Sequence, residues 1–358
     1  MEFQRAFQRI KKDLWAVGCF VYIVLLVLVA VFAYPLAPDK TQNSNQMHLS
    51  IHSKPPGFEC LMLLIPQKNG TQENHFFTGN ISADEEIPVA SVRWTETGLE
   101  FKRLGNATDY YEPISFDVFP EGTHRKTIEE KYLFRKQFVL GTDKYGRDLL
   151  SRLIIGSRIS ISIGFVAVVI SLLIGILMGA LAGYFGGWVD AVIMWLINVV
   201  WSIPTLLMVI AITIALGKGF WQVFVAVGLT MWVDVARLVR GQVKTTKEQL
   251  YIHAAQALGF SHLRILRIHI LPLLLAPLIV ISAANFASAI LMESGLSFLG
   301  IGAQPPMPSW GGMVKDHFRY LLLGKPYLAL LPGIAIMSVV LAFMLLGNSL
   351  RDAFDVRR

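Results

Sequence analysis

The chain has 358 residues, of which 54% are hydrophobic and only 16% charged, and its formal net charge is +7. Soluble domains carry about a quarter charged residues, so this deficit and the long charge-free runs exclude an ordinary soluble domain and place the chain in a bilayer. The basic residues sit in short stretches between apolar runs, which fits loops against anionic lipid and argues against a nucleic-acid partner.

Six apolar runs, roughly 14–36, 159–185, 191–217, 219–240, 270–300 and 327–348, are expected to be transmembrane helices. The first has the basic start and the Val31-Phe32-Ala33 ending of a signal peptide. Its apolar stretch exceeds the usual core of about 7–15 residues, so it is read as a retained span. Arg5, Arg9, Lys11 and Lys12 precede it; Arg237, Arg240, Lys244, Lys247, Arg264 and Arg267 lie between the fourth and fifth runs; Arg351, Arg357 and Arg358 end the chain. These segments alternate correctly for one face, so both termini are expected to be cytoplasmic. The link Gly186-Gly187-Trp188-Val189-Asp190 reads as a tight turn on the same side.

Residues 37–150 form a polar insert, external by the same rule. Thr41-Gln42-Asn43-Ser44-Asn45-Gln46 reads as linker, whereas Leu99–Arg103 and Ser115–Phe119 alternate as half-buried strands do, predicting a small β-containing external domain. Asn69-Gly70-Thr71, Asn80-Ile81-Ser82 and Asn106-Ala107-Thr108 match glycosylation acceptors, although plain turn residues have the same pattern. Cys60 lies in this insert and Cys19 in the first run, at different depths, so no disulfide is expected. Leu140–Asp148 carries two glycine breaks, Gly141 and Gly146, and Thr142 or Asp143 as a helix cap. Leu149, Leu150, Leu153 and Ile154 then form an apolar stripe, with Asp148 and Arg152 paired at i,i+4, predicting an amphipathic helix on the outer surface.

Within the second run, Gly175, Gly179, Gly183 and Gly187 recur every four residues and form a stripe suited to close helix packing. Ser202-Ile203-Pro204 predicts a kink. The fifth run starts with Pro272 and Pro277 and contains Asn285, Glu293 and Ser294, candidates for gating or translocation because polar groups in apolar runs are costly. Glu293 also fits a structural hydrogen-bonding role near interfacial water at the outer end. Asp234 reads as structural, paired with Arg237 or the interface. Gly300–Gly311 is too rich in Pro and Gly for a span and reads as an external loop with Trp310 at headgroup depth. The chain carries no G-x-x-x-x-G-K-[ST] loop, H-E-x-x-H site or G-x-S-x-G elbow. No catalytic, cofactor or metal residue is therefore expected, and any energy from ATP must come through another chain.

The segment 245–272 is longer than a turn between spans requires. Glu248–Leu258 predicts a helix, Gly259 its break, and Ser261 the cap of a second helix that turns Arg264, Arg267 and His269 toward water. Ala254 and Ala255 would leave a low-relief surface able to enter a partner's groove, although a helix lying on lipid has the same character. Ala254-Ala255, three residues, Gly259, then Leu271-Pro272 resembles the cytoplasmic signature of permease subunits of binding-protein-dependent ABC importers. Leu140-Gly141-Thr142-Asp143 with Gly146-Arg147-Asp148 resembles the dipeptide/oligopeptide/nickel branch, specifically the second, C-type permease of its pair. So do Ser297–Gly300 with Gln304-Pro305-Pro306 and Pro308–Gly311, and Gly347–Asp352 with Asp355.

That resemblance covers about 138–358 and the first span. With the apolar runs it gives an all-α polytopic membrane protein of six transmembrane helices with a small β-containing external insert, divided as 1–36, the insert 37–150 and a five-helix transporter domain 151–358 with the coupling segment 245–272. It implies a peptide importer working by alternating access in the bacterial inner membrane, with nickel or another small solute open as cargo. The implied partners are a second homologous permease, two ATP-binding subunits holding ATP and Mg, and an extracytoplasmic solute-binding protein. His253, Ala254, Ala255, Gly259 and Arg264 become the candidate ATPase-coupling residues. His253 replaces the acidic residue usual in the signature, and the insert is larger than the family usually carries. Two other classes stay in view: a self-sufficient secondary transporter, for which inverted repeats and midplane ionisable residues are not evident, and a membrane-anchored assembly or sensor protein using the insert.

Overall fold

The computed structural model describes residues 8–66, 76–80, 84–105, 110–120, 125–217 and 219–354. Arg5, Asp355, Arg357, Arg358 and all or part of the three glycosylation motifs lie outside the described residues. The chain divides into two compact units, one comprising 1–27, 160–304 and 334–358, the other 28–159 and 305–333.

Helix α1 (Leu14–Val31) is the first apolar run. The insert follows, with β1 (Phe58–Ile65), β2 (Glu85–Trp94), β3 (Gly98–Arg103), β4 (Glu112–Ser115), α2 (Arg125–Lys131) and β5 (Leu133–Phe138). The strands form an antiparallel sheet in the order β4-β3-β2-β1-β5. Alternation along β1 gives the sheet two apolar faces. Leu63 packs with Ile87, Val89, Leu99, Phe101 and Ile128, while Cys60 and Met62 pack with Ile51 and Phe138. Each fully buried large side chain here contributes roughly 1.5–3 kcal/mol. The expected strand at Leu99–Arg103 is present, but Ser115–Phe119 is not one. The Ser115 hydroxyl accepts from the Asp117 N–H at 3.3 Å and turns the chain into a 3-10 turn, Phe116–Val118. Local side-chain bonding thus overrides the alternating pattern.

Thr41–Gln46 is not a linker. Asp39 Oδ1 accepts from the Thr41 N–H at 2.9 Å and from its hydroxyl at 2.6 Å, and Asn45 Oδ1 accepts from Arg147 at 3.0 Å. Nor do Asp148 and Arg152 pair. Asp148 caps the next helix by accepting the Ser151 N–H at 2.8 Å, and Arg152 approaches Asp143 at 3.7 Å. Asp143, fully buried, accepts from Arg147 Nε at 2.7 Å and from the backbone N–H groups of Tyr145 and Arg147 at 2.8 and 3.0 Å. It closes the turn rather than capping the helix.

A separate surface helix before the second span is not found. Helix α3 runs unbroken from Leu149 to Phe185, because the stripe Leu149–Ile154 leads straight into the apolar run. The chain then continues as α4 (Gly187–Trp201), α5 (Thr205–Leu216), α6 (Phe220–Lys247), α7 (Leu250–Ala257), α8 (Leu275–Leu299), α9 (Trp310–His317) and α10 (Tyr327–Phe354). Among the described residues five helices are long and apolar enough to cross a membrane, and α4 with α5 forms a sixth, bent candidate at 92°. The expected kink is a full break. Pro204 disfavours helical backbone at Ile203, and α4, at 15 residues, reaches only about 22 Å, less than the ~30 Å of hydrocarbon.

Trp310 is packed inside the protein and not presented at its surface. Its indole N–H donates to the Leu153 carbonyl at 2.9 Å, next to Gly156, where a Cβ would meet the indole at 3.0 Å. Both cysteines are free thiols, and burial pushes the Cys60 thiol up to about 11.

Candidate coupling segment and transmembrane cleft

Helix α7 is short because both ends are fixed. Gln249 opens it in extended conformation, and Gly259, at φ +77°, closes it with N–H bonds from Gly259 to Gln256 and from Phe260 to Ala255. A left-handed glycine is the usual way to satisfy these last carbonyls. The helix is therefore Leu250–Ala257 rather than Glu248–Leu258. Ser261 precedes the next turn but makes no side-chain cap. The helix from His262 runs through a π turn (Ile265–Ile270) and a 3-10 turn (Leu271–Leu274) into α8. Pro272 explains the irregularity, since it has no N–H and crowds the carbonyl four residues earlier.

The faces of α7 separate the candidate residues. Ile252 and Ala255, three apart, turn inward against Val239, Val243, Ile265 and Ile270. Ala255 is 6% exposed, so it belongs to the anchoring face and not to the low-relief outer surface expected of it. His253 and Ala254 are exposed, as are Leu250 (86%), Leu258 and Leu263. Arg264 is exposed with its guanidinium over the Phe260 ring at 4.5 Å, and the His269 ring stacks on Phe260 from 6.0 Å. An exposed apolar strip bordered by basic groups is a surface suited to burial against another protein.

Contacts that the sequence did not reveal hold this segment to the helix ends. The Tyr184 hydroxyl meets His262 Nδ1 at 2.9 Å, Lys247 donates to the Tyr184 carbonyl at 2.8 Å, and Arg240 grips Asp190 through bonds of 2.5 and 2.7 Å. These bonds tie the ends of α3, α4 and α6 to one another and to His262 just after α7.

The glycine stripe is a contact with α6. A Cβ at Gly175 would lie 2.5 Å from Val235 Cβ, at Gly179 2.5 Å from the Ala236 carbonyl oxygen, and at Gly183 2.7 Å from that of Arg240. Gly187 is not part of it. Helix α3 has ended, Gly187 adopts φ +53° to start α4, and a Cβ there would meet nothing within 4 Å.

On α8, Glu293 is fully buried rather than reaching interfacial water, and accepts from the Ser297 hydroxyl at 2.6 Å. The Ser294 hydroxyl bonds back to the Ile290 carbonyl at 2.8 Å. Asn285 differs from both. It is 6% exposed, and its Nδ2 has no hydrogen-bond partner. It lines a cleft of about 190 Å³ with Trp201, Thr205, Thr230, Asp234 and Ser288. Asp234 is not paired with Arg237, whose guanidinium stacks on Trp201 at 3.5 Å and bonds Asn198 Oδ1 at 3.1 Å. The rule that singled out Glu293, a carboxylate in an apolar run, applies equally to Asp234 and was the signal available for it.

Comparison with known proteins bears on all three features. Residues 2–56 match the family described as the N-terminal TM domain of oligopeptide transport permease C. The dipeptide transport system permease protein DppC of Alkalihalophilus pseudofirmus is 41% identical over 215 residues, 60% of this chain and 70% of that protein. The glutathione transport system permease protein GsiD of Shigella flexneri is 43% identical over 219 residues, 61% and 72% of the two chains. A solved chain of the inward-facing MetNI methionine ABC transporter aligns with 57% of this chain and 97% of its own, at a TM-score of 0.45 and 17% identity. Residues 171–358, more than half the chain and the stretch holding α7, the cleft and the α3–α6 seam, match the binding-protein-dependent transport system inner membrane components, the membrane permease family to which this chain belongs.

Proposed function

We propose that this chain is one of two unlike permease subunits forming the pathway of an ATP-driven importer for di- or oligopeptides. Two ATP-binding subunits, holding ATP and Mg, engage the 245–272 segment from the cytoplasm, and a solute-binding protein delivers cargo from the other side. Both termini are cytoplasmic in this reading. Lys and Arg concentrate before α1, from the last turns of α6 to α8, and at and beyond the end of α10, as the positive-inside rule requires. Peptide cargo is supported by similarity to dipeptide and glutathione permeases over more than two thirds of their length.

The observation carrying the reading is the exposed face of α7, with Leu250, His253 and Ala254 outward while Ile252 and Ala255 anchor it between two spans. A helix held on one side and bare on the other transmits force from whatever covers it. ATPase closure would displace α7 and shift a two-state equilibrium of the spans between inward and outward openings. The test is purification of the tagged chain from membranes expressing its neighbouring subunits, then reconstitution. Stoichiometric ATPase subunits and ATP-dependent dipeptide uptake are expected. Isolation without any ATPase, or uptake driven by an ion gradient alone, overturns the proposal.

A further inference from the structure

The cleft beside the α4–α5 break has chemistry that packing does not account for. Asp234 lies one turn before Arg237 on α6, toward the basic end of that span, and is exposed to the cleft, whereas Asn285 lies near the middle of α8. A carboxylate that faces a cavity between spans marks a binding or translocation site by default. Among the described residues no Lys, Arg or His pairs with Asp234. Asn285 is 6% exposed and its Nδ2 has no hydrogen-bond partner among the described residues, a cost a folded chain rarely carries for nothing. Thr230 spends its hydroxyl hydrogen on the Val227 carbonyl at 2.8 Å, so its oxygen faces the cleft as an acceptor only. The end of α4 and the start of α5 meet here, and their opposed dipoles offset one another. Asp234 is the one ionisable side chain among the lining residues, with the Arg237 guanidinium beyond Trp201.

Besides the Thr205 and Ser288 hydroxyls, the lining offers one anion, the Thr230 acceptor and one unused amide donor. At about 190 Å³ the cleft is smaller than the ~300 Å³ and upward of a complete small-molecule site, so it holds one end of a molecule. We infer that the cleft is a subsite for the free amino end of a peptide, with Asp234 as counterion to the α-ammonium and Asn285 Nδ2 donating to the first peptide carbonyl. Met208, Met231 and Met292 complete its wall and offer adaptable apolar surface to varied first side chains. The inference rests on the peptide-import reading and adds the end of the peptide that is recognised in the membrane.

The test uses the assembled transporter in proteoliposomes with its binding protein, and dialanine as probe. At saturating loaded binding protein, Asp234→Asn should lower the maximal dialanine uptake roughly tenfold or more, the scale of one lost charge-assisted hydrogen bond. Asp234→Glu should recover most of it. In nanodiscs without binding protein, saturation-transfer NMR should detect dialanine but not N-acetyl-dialanine on the wild type, and neither on Asp234→Asn. Wild-type uptake by Asp234→Asn, equal binding of the acetylated probe, or failure of Asp234→Asn to assemble with its partner subunits overturns the subsite; the last would assign Asp234 to a subunit interface. If the wild-type complex itself takes up no dialanine, the import reading fails instead.

Discussion

Ala254 and Ala255 are adjacent in sequence and about 100° apart around the helix, one exposed and the other buried, and that makes them a pair of probes for force transmission. At Ala254 a tryptophan would project from the exposed side of α7, away from the Ile252–Ala255 contact. Such a change should alter folding stability by no more than about 0.5 kcal/mol, while its indole, among the largest of side chains, obstructs whatever docks on that face. At Ala255, 6% exposed, the same side chain must enter a cluster containing Val239, Val243, Ile252 and Ile265. Overpacking of this kind costs about 1–3 kcal/mol. Ala254→Trp should therefore keep the melting temperature and the amount of membrane-inserted protein but lose ATPase association and uptake. Ala255→Trp should melt lower and lose uptake through displacement of the whole helix. Melting curves in detergent, ATPase co-purification and vesicle uptake on both variants decide the matter. Undiminished uptake by Ala254→Trp, or an unshifted melt for Ala255→Trp, refutes the assignment of faces.

Two further outcomes follow from the packing and the buried histidines. Gly179→Ala places a Cβ 2.5 Å from the Ala236 carbonyl oxygen and should cost about 1–3 kcal/mol by forcing α3 and α6 apart. Gly295→Ala, where a Cβ meets nothing within 4 Å, should be neutral or gain up to about 1 kcal/mol from helix propensity; detergent melts of the two variants measure the contrast. Burial holds His48 and His317 below the ordinary histidine range, with Lys136 adding to the effect at His48. Both are favoured neutral in the fold, so the stability they contribute is present above the unfolded histidine value of about 6.5 and is lost as pH falls through the folded values. Hydrogen exchange in β1 and β5, corrected for intrinsic rates, should quicken below that pH, and less so in His48→Asn.

The spans were legible because hydrocarbon imposes a length and an apolarity that a run of letters displays directly. The break at Ser202-Ile203-Pro204 was legible for a similar reason, since proline acts through its own covalent structure. Orientation around a helix was harder. Ile252 and Ala255 share a face by their spacing, yet nothing in a short helix that is apolar on both sides says which face is held, and the answer lay in Val239, Val243 and Ile265, far apart in sequence. The four-residue glycine spacing continued to Gly187 although the helix stopped at Phe185, because glycine serves packing and turning equally well. Ser115–Phe119 failed as a strand, and Thr41–Gln46 as a linker, through side-chain bonds from Ser115, Asp39 and Arg147 that compete with backbone preference. The burial of Glu293 and Trp310 was not legible, because a hydrogen bond to Ser297 or to the Leu153 carbonyl leaves no periodic mark.

The pairing of β1 with β5 has an architectural consequence. Phe58 and Phe138 stand opposite one another in the ladder, so eighty residues of chain depart and return through neighbouring positions about 5 Å apart. A segment whose two ends already touch can lengthen, shorten or be exchanged without stretching the spans it interrupts. The insert is in this sense a cassette, and its size is free to follow the needs of whatever meets it while the transport machinery stays as it is.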